Sequence, residues 1–426
     1  MSRSPYGPAY ADPVTRAVVP ADLDALVRAV GAALDGDGPP VAPVPLVRRA
    51  TATTTLPPGT ALVLRTSGST GEPHEVALAA TAVLASGAAT HDRLGGPGHW
   101  ILALPPTHVA GVQVVARAHA AGRGLTVAPP DAPFTPAVFA ALVARTPSGE
   151  RRYASLVPTQ LHRLVAAADA GTPEGAAGLD ALCALDAVLV GGAATPPALL
   201  RRARALGARV VTTYGMTETS GGCVYDGAPL SGARVRVTDV VEIAGPFLAD
   251  GYLADPEATA DAFRTDADGT RWFRTSDLGR LDGPAGTLTV LGRADDVVVT
   301  GGVNVAPAAV EAVVAEVEGV GEACVVGVPH PEWGQEVVAV VTPAGPAPRD
   351  PGPDPDPDPD PDPSRVGTVA DAPAALVDAV RALVADRLER AAAPRRVLVV
   401  AELPRRGPGK VDRTAVARLA VGHAPG

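Results

Sequence analysis

From residue 61 onward, short β-branched runs recur, each closed by Gly or Pro and followed by an Ala/Leu-rich stretch of helical length. The runs are ALVLR before TSGSTG, then WILALPP, LTVAPP, YASLVPT, AVLVGGAA and RVVTTYG. Strands separated by helices bury their apolar faces only in layers, so this pattern restricts the chain to an α/β architecture. In such folds ligands lie beyond the carboxyl ends of the strands, and the polar and Gly-rich segments of this chain fall there. An amphipathic helix at Ala21–Leu34 is expected ahead of the pattern.

A second compositional unit follows GTLTVLGRADD (286–296), with a helix expected at Pro307–Val317, strands over EACVVGVP and EVVAVVTP, and a helix at Val377–Leu388. Between its halves, residues 345–367 carry a strict Asp-Pro alternation, which removes backbone donors and favours extended conformations. That stretch is expected to be a disordered surface insertion rather than core.

Composition narrows the function. The 46% apolar content is globular, and the net charge of −10 argues against a nucleic-acid surface, which needs clustered cations. Cys183, Cys223 and Cys324 are scattered without a CxxC pair, so neither a disulfide framework nor a zinc site is expected. The N-terminus lacks a secretory apolar core and no run approaches a membrane span, which points to a cytoplasmic protein.

The 36 basic residues include a single lysine, Lys410, inside the Gly-rich turn PRRGPGKVDR. A compact ammonium can reach between two oxygen-bearing groups where the broad guanidinium fork cannot, so Lys410 is the first candidate for chemistry. A leftover surface lysine is the bland alternative. The octamer TSGSTGEP, Thr66–Pro73, packs Thr66, Ser67, Gly68, Ser69, Thr70 and Gly71 into a strand-to-helix turn suited to cradle phosphate oxygens. It lacks the GK[ST] ending of a Walker A loop.

With this octamer, the chain resembles the adenylate-forming superfamily of acyl-CoA synthetases, adenylation domains and luciferases. The likeness extends in order through LPPTHVAGV (104–112), LVGGAATP (189–196), TTYGMTET (212–219), RTSDLGR (274–280), GRADDVVVTGGVNVAPAAVE (292–311) and PGKVDR (408–413). It implies a large multi-subdomain N-terminal α/β domain, residues 1–294, with a smaller mobile α+β lid, residues 295–426, hinged at Asp295. It also implies ATP, Mg2+ and coenzyme A: a carboxylate attacks the α-phosphorus, and a thiol then attacks the acyl adenylate. By the same resemblance Lys410 would screen the attacking carboxylate from the α-phosphate. Thr217 would bind that phosphate, and Glu218 would hold Mg2+. Asp277 and Arg293 would read the ribose; Gly192, Ala193, Ala194, Tyr214 and Gly215 would bed the adenine; and Gly301 and Gly302 would line the coenzyme A tunnel.

Two departures stand out. His74 occupies the place where relatives commonly carry a lysine, a weaker and pH-dependent cation that puts pyrophosphate stabilisation in question. The region before the phosphate loop is short, so a reduced first subdomain is expected. Within the superfamily, YASLVPTQLHRLV (153–165) is most similar to o-succinylbenzoate-CoA ligases of menaquinone biosynthesis. That likeness makes His108, Thr159, Arg163 and Arg117 candidate acyl-pocket groups, although His108 could be structural and either arginine a solvated helix face. A ligase for another aryl or short acyl acid, or a catalytically idle nucleotide-binding protein, stays open. A small-molecule carboxylate is the expected partner, nucleic acid and membrane are not, and a homodimer is left open.

Overall fold

In the computed structural model the alternating runs become a seven-stranded sheet, in the order Ala228–Pro229, Gly221–Tyr225, Val210–Met216, Ala187–Val190, Arg152–Leu156, His99–Leu102 and Leu125–Val127. The last five are mutually parallel, and the first two add antiparallel at one edge. The structure describes residues 10–11, 17–44, 55–66, 74–129, 132–284, 286–344, 368–406 and 410–423. The Asp-Pro stretch lies outside them.

The chain divides into two compact units, the first comprising Met1–Gly192, Ala203–Thr275 and Leu281–Leu288, the second Ala193–Arg202, Ser276–Arg280 and Thr289–Gly426. In the first, the strands are apolar on both sides because both faces are covered, as parallel sheets require. Ala187–Val190 is buried along its whole length. Trp100 and Tyr153 on neighbouring strands are both fully buried, with ring centroids 5.2 Å apart. The first helix runs Leu23–Asp35, close to expectation. Asp22 caps it by accepting the Ala25 N–H at 2.7 Å, and Gly36 ends it in the left-handed region at φ 79°.

The second unit shows the period-2 logic of a sheet covered on both faces. The strand Gly334–Pro343 pairs antiparallel with Val320–His330 on one side and parallel with Arg396–Val399 on the other. Its Val337, Ala339 and Val341 join a core with the helices Pro307–Val314 and Ala374–Arg387. The alternate residues Val338 and Val340 pack instead with Val416 and Ala420 of the helix Arg413–Gly422. Two helices differ at their ends from the sequence reading. Pro307–Val314 stops early, before a turn leading to Gly319 at φ 87°, and Ala374–Arg387 starts as soon as Pro373 permits.

Candidate active site

Four neighbouring parallel strands of the first unit deliver several of the expected site residues at their carboxyl ends. His108 is the N-cap of the helix Val109–Ala121, which follows the strand His99–Leu102. Thr159 is in the first turn of the helix Pro158–Asp169, directly after the strand Arg152–Leu156. Gly192, at φ 81°, follows Ala187–Val190, while Tyr214 and Gly215 close Val210–Met216 ahead of the 3-10 turn Thr217–Thr219. Gln160 ties two of these ends together, donating from Nε2 to the Ala103 carbonyl and accepting the Val157 N–H.

The phosphate-loop strand Thr60–Arg65 is buried along most of its length and pairs with Glu75–Ala79. The base of the loop is pinched: Thr66 N–H donates to the His74 carbonyl at 2.8 Å, and His74 N–H donates to Thr66 Oγ1 at 3.0 Å. The Thr66 hydroxyl therefore serves the loop's closure. Ser67, Gly68, Ser69, Thr70 and Gly71 lie outside the described residues.

Glu218 is nine-tenths buried at the turn after Val210–Met216. Thr219, fully buried, shapes that turn by accepting the Met216 N–H, and Ser220 completes it at φ 49°. The Glu218 carbonyl accepts the Ala249 N–H at 2.8 Å, and Oε1 accepts the Tyr252 hydroxyl at 3.0 Å. Burial, followed by the charge of Glu218, raises the Tyr252 pKa far above that of a free phenol, so this hydroxyl stays protonated and donates. His74 stacks on Tyr252, with centroids 4.4 Å apart and planes at 26°, and its Nδ1 lies 3.7 Å from Asp255. Sequence reasoning did not single out Tyr252 or Asp255, because no periodicity or motif spacing links GYLADP to YGMTE.

Gly215 has a structural reason for its identity: a Cβ there would lie 2.1 Å from the Gly221 carbonyl oxygen on the paired strand. Arg163 is half-buried and donates to the Phe134 carbonyl at 3.4 Å. Arg117, by contrast, is 3% exposed inside the core, 5.3 Å from the Trp100 ring centroid and 3.4 Å from the Tyr225 hydroxyl. A pocket role is therefore weaker for Arg117 than its residue type suggested.

The second unit holds Ala193, Ala194 and the remaining expected groups. Asp277 opens the strand Asp277–Asp282 with a side chain 13% exposed, and Arg293 ends Thr287–Arg293. Arg293 Nη1 is 3.6 Å from Asp277, while its Nε and Nη2 grip both oxygens of Asp295 at 2.8 and 2.6 Å. Gly301 and Gly302, at φ 56° and 82°, form the two-residue turn between Val298–Thr300 and Val303–Val305. Two consecutive positive-φ residues demand glycine in such a hairpin turn whatever passes nearby.

Lys410 stands in a short ladder, paired with Arg406 beside the pair Arg405–Val411; its side chain lies outside the described atoms. The ladder is anchored on both flanks. Arg405 donates to both oxygens of Glu322 at 2.8 and 2.6 Å. Beyond Lys410, Asp412 caps the helix Arg413–Gly422, and Arg413 grips both oxygens of Glu311 at 2.6 and 2.7 Å.

Among the described residues no group of three or more His, Cys, Asp or Glu could hold a metal alone. Mg2+ is ordinarily bound by one or two carboxylates together with substrate phosphates, so a single buried carboxylate such as Glu218 fits an ion that arrives with a nucleotide. Cys183, Cys223 and Cys324 are free thiols, and no helix among the described residues is long and apolar enough to cross a membrane.

Residues 14–256 match the model of the AMP-binding enzyme family, and residues 309–410 that of the AMP-binding enzyme C-terminal domain. A probable 2-succinylbenzoate–CoA ligase of Mycobacterium tuberculosis is 42% identical over 369 residues, covering 85% of each chain. The 2-succinylbenzoate–CoA ligase of Geobacillus kaustophilus is 30% identical over 84% of this chain and 69% of its own. Among solved structures, ATP-bound MatB from Rhodopseudomonas palustris superposes with a TM-score of 0.67 at 27% identity, covering 87% of this chain and 70% of that one. The o-succinylbenzoate CoA synthetase of Bacillus subtilis bound to its acyl-adenylate gives 0.64 at 24% identity, over 84% of this chain and 69% of its own, a likeness of fold.

Proposed function

Because the chain belongs to the AMP-binding enzyme family, we propose that it is an ATP-dependent, AMP-forming acid–CoA ligase that converts o-succinylbenzoate to its CoA thioester in the cytoplasm. One observation carries the substrate: the 42% identity to the mycobacterial ligase runs over 85% of both chains.

The residues divide the labour as follows. Attack of a carboxylate on the α-phosphorus brings two anions together, and Lys410 screens them; the Arg405 and Arg413 ion pairs fix the ladder that presents it. Thr217 donates to the α-phosphate, and the phosphate-loop residues Thr66 to Gly71 bind the departing pyrophosphate; Thr66 and His74 close the base of that loop. Glu218 would hold Mg2+, which would supply charge neutralisation on the phosphates. Asp277 accepts from the ribose hydroxyls while Arg293 steadies it; Gly192, Ala193, Ala194, Tyr214 and Gly215 bed the adenine. His108 and Thr159 border the acyl group, and Arg163 pairs with the retained ring carboxylate. Coenzyme A enters past Gly301 and Gly302. This reading takes residues 1–294 as the N-terminal domain and 295–426 as a lid turning at Asp295.

Pyrophosphate release across a panel of aromatic and aliphatic acids, followed by thioester detection, tests the proposal. o-Succinylbenzoate should give both signals; release with other acids alone would reassign the substrate, and none at all would leave an idle nucleotide-binding protein. Lys410→Ala should slow adenylation by roughly 10²–10³-fold while thioester formation from supplied acyl adenylate persists. Equal loss of both half reactions would remove Lys410 from its assigned role.

A further inference from the structure

Glu218 and the returning end of the phosphate loop are joined through one side chain. Tyr252 lies in the two-residue strand Gly251–Tyr252, paired with Glu75–Ala79 immediately after His74. Its backbone is held by the helix Pro256–Ala262: Tyr252 N–H donates to Thr259 Oγ1 at 2.9 Å. One face of its ring carries His74, and Phe263 meets the ring edge-on at 5.9 Å. The ring is thus fixed from three directions, and its hydroxyl is aimed at Glu218 Oε1, 3.0 Å away. A buried carboxylate with rotatable torsions points wherever its donors direct it, and here the phenol is a directing donor.

We propose that Tyr252 is the positioning residue for the metal-side carboxylate, orienting Glu218 toward the magnesium–nucleotide and coupling it, through the His74 stack, to the phosphate loop. The inference rests on the reading of Glu218 as the metal-side group. Tyr252 acts through Glu218, the group its hydroxyl meets. Its contribution belongs to the first half reaction, since pyrophosphate and its metal have left before the thiol attacks. The stack also gives His74 a role distinct from that of a lysine at the same position: an imidazole ring can lie flat on the phenol, where a flexible ammonium stem cannot.

The experiment compares wild type, Tyr252→Phe, Glu218→Gln and the double variant. Mn2+ binding to the enzyme in the presence of ATP, followed by electron paramagnetic resonance, is the readout independent of turnover. Phenylalanine keeps the ring, the stack and the edge contact, so the melting temperature should change little. Tyr252→Phe should weaken Mn2+ binding about 10-fold and lower pyrophosphate exchange by a similar factor. Thioester formation from supplied acyl adenylate should stay within about 2-fold of wild type, and the double variant should be no worse than Glu218→Gln alone. Additive losses, or unchanged Mn2+ binding in Tyr252→Phe when Glu218→Gln has lost it, would overturn the positioning role and leave Glu218 in place. Unchanged Mn2+ binding in both single variants would take Glu218 off the metal, and both readings would fall together. Glu218→Asp, which withdraws the carboxylate from the hydroxyl instead, makes the same comparison from the other side should Tyr252→Phe fold poorly; Mn2+ binding retained at the wild-type level in that variant would equally overturn the proposal.

Discussion

Arg163 and Arg117 have the same side chain in opposite settings, and their variants should separate accordingly. o-Succinylbenzoate retains a ring carboxylate, and leaving a pocket donor unpaired penalises an analogue strongly. Benzoylpropionate, which lacks that group, should therefore be a poor substrate, and Arg163→Ala should reduce the discrimination at least 10-fold in kcat/KM. Arg117→Ala should leave the ratio of specificity constants intact and lower the melting temperature, because its guanidinium fills core beside Trp100 and Tyr225. Next to it, His91 accepts the Trp100 indole N–H at its Nε2. Burial, reinforced by Arg117, lowers the pKa of His91 from 6.5 to about 4. The folded-state pKa lies below the unfolded one, so the unfolded chain binds the extra proton. Stability is then complete above about pH 6.5 and falls, by up to about 3 kcal/mol, as pH drops toward 4. His91→Gln, which can still accept from Trp100 but cannot titrate, should flatten this slope in thermal melts. None of this was legible beforehand: a histidine in ATHDR and an arginine in VVARAHA look like solvated helix positions until the neighbouring strand's tryptophan is placed between them.

At the level of elements, close backbone approach decides where small residues are obligatory. A Cβ on Gly111 would lie 2.2 Å from the Pro105 carbonyl oxygen, in the first turn of the helix Val109–Ala121. Alanine gains about 1 kcal/mol over glycine in a helix, but a backbone oxygen cannot swing aside as a flexible side chain can. Gly111→Ala should therefore destabilise by a net ~1–3 kcal/mol, as overpacking does, and shift His108 at the N-cap; chemical denaturation measures the first and the acid KM the second. Strand and helix identity were readable from the β-branched runs because those strands are buried on both faces. The pinching of the phosphate loop by Thr66 and His74 was not, since it depends on hydrogen bonds between two ends of a turn eight residues apart. Residues 345–367 separate Gly334–Pro343 from Ala370–Asp371, and both flanking strands pair with Arg396–Val399. Deleting residues 349–363 should therefore leave turnover near wild type and shift melting by only a few degrees, because closure entropy changes slowly with loop length. A collapse in melting temperature would show that the stretch contributes to packing.

For the whole molecule, the ordered motifs marked out the chemistry well ahead of any coordinates, whereas the groups that hold those motifs in place did not announce themselves. Tyr252, Glu322 and Glu311 act at positions remote in sequence from the residues they support, and only folding makes them neighbours. The Lys410 ladder has one more consequence. Since every other basic side chain is guanidinium or imidazole, the chain displays a single ε-amine. A protease that cuts after lysine can therefore sever only the Lys410–Val411 bond, and amine-acylating reagents can reach only this position and the chain's α-amino group. Digestion speed becomes a direct clock of how the ladder is engaged, readable as one band turning into another on a gel. An acyl donor that modifies the ε-amine should likewise titrate adenylation to zero stoichiometrically, without a single engineered substitution.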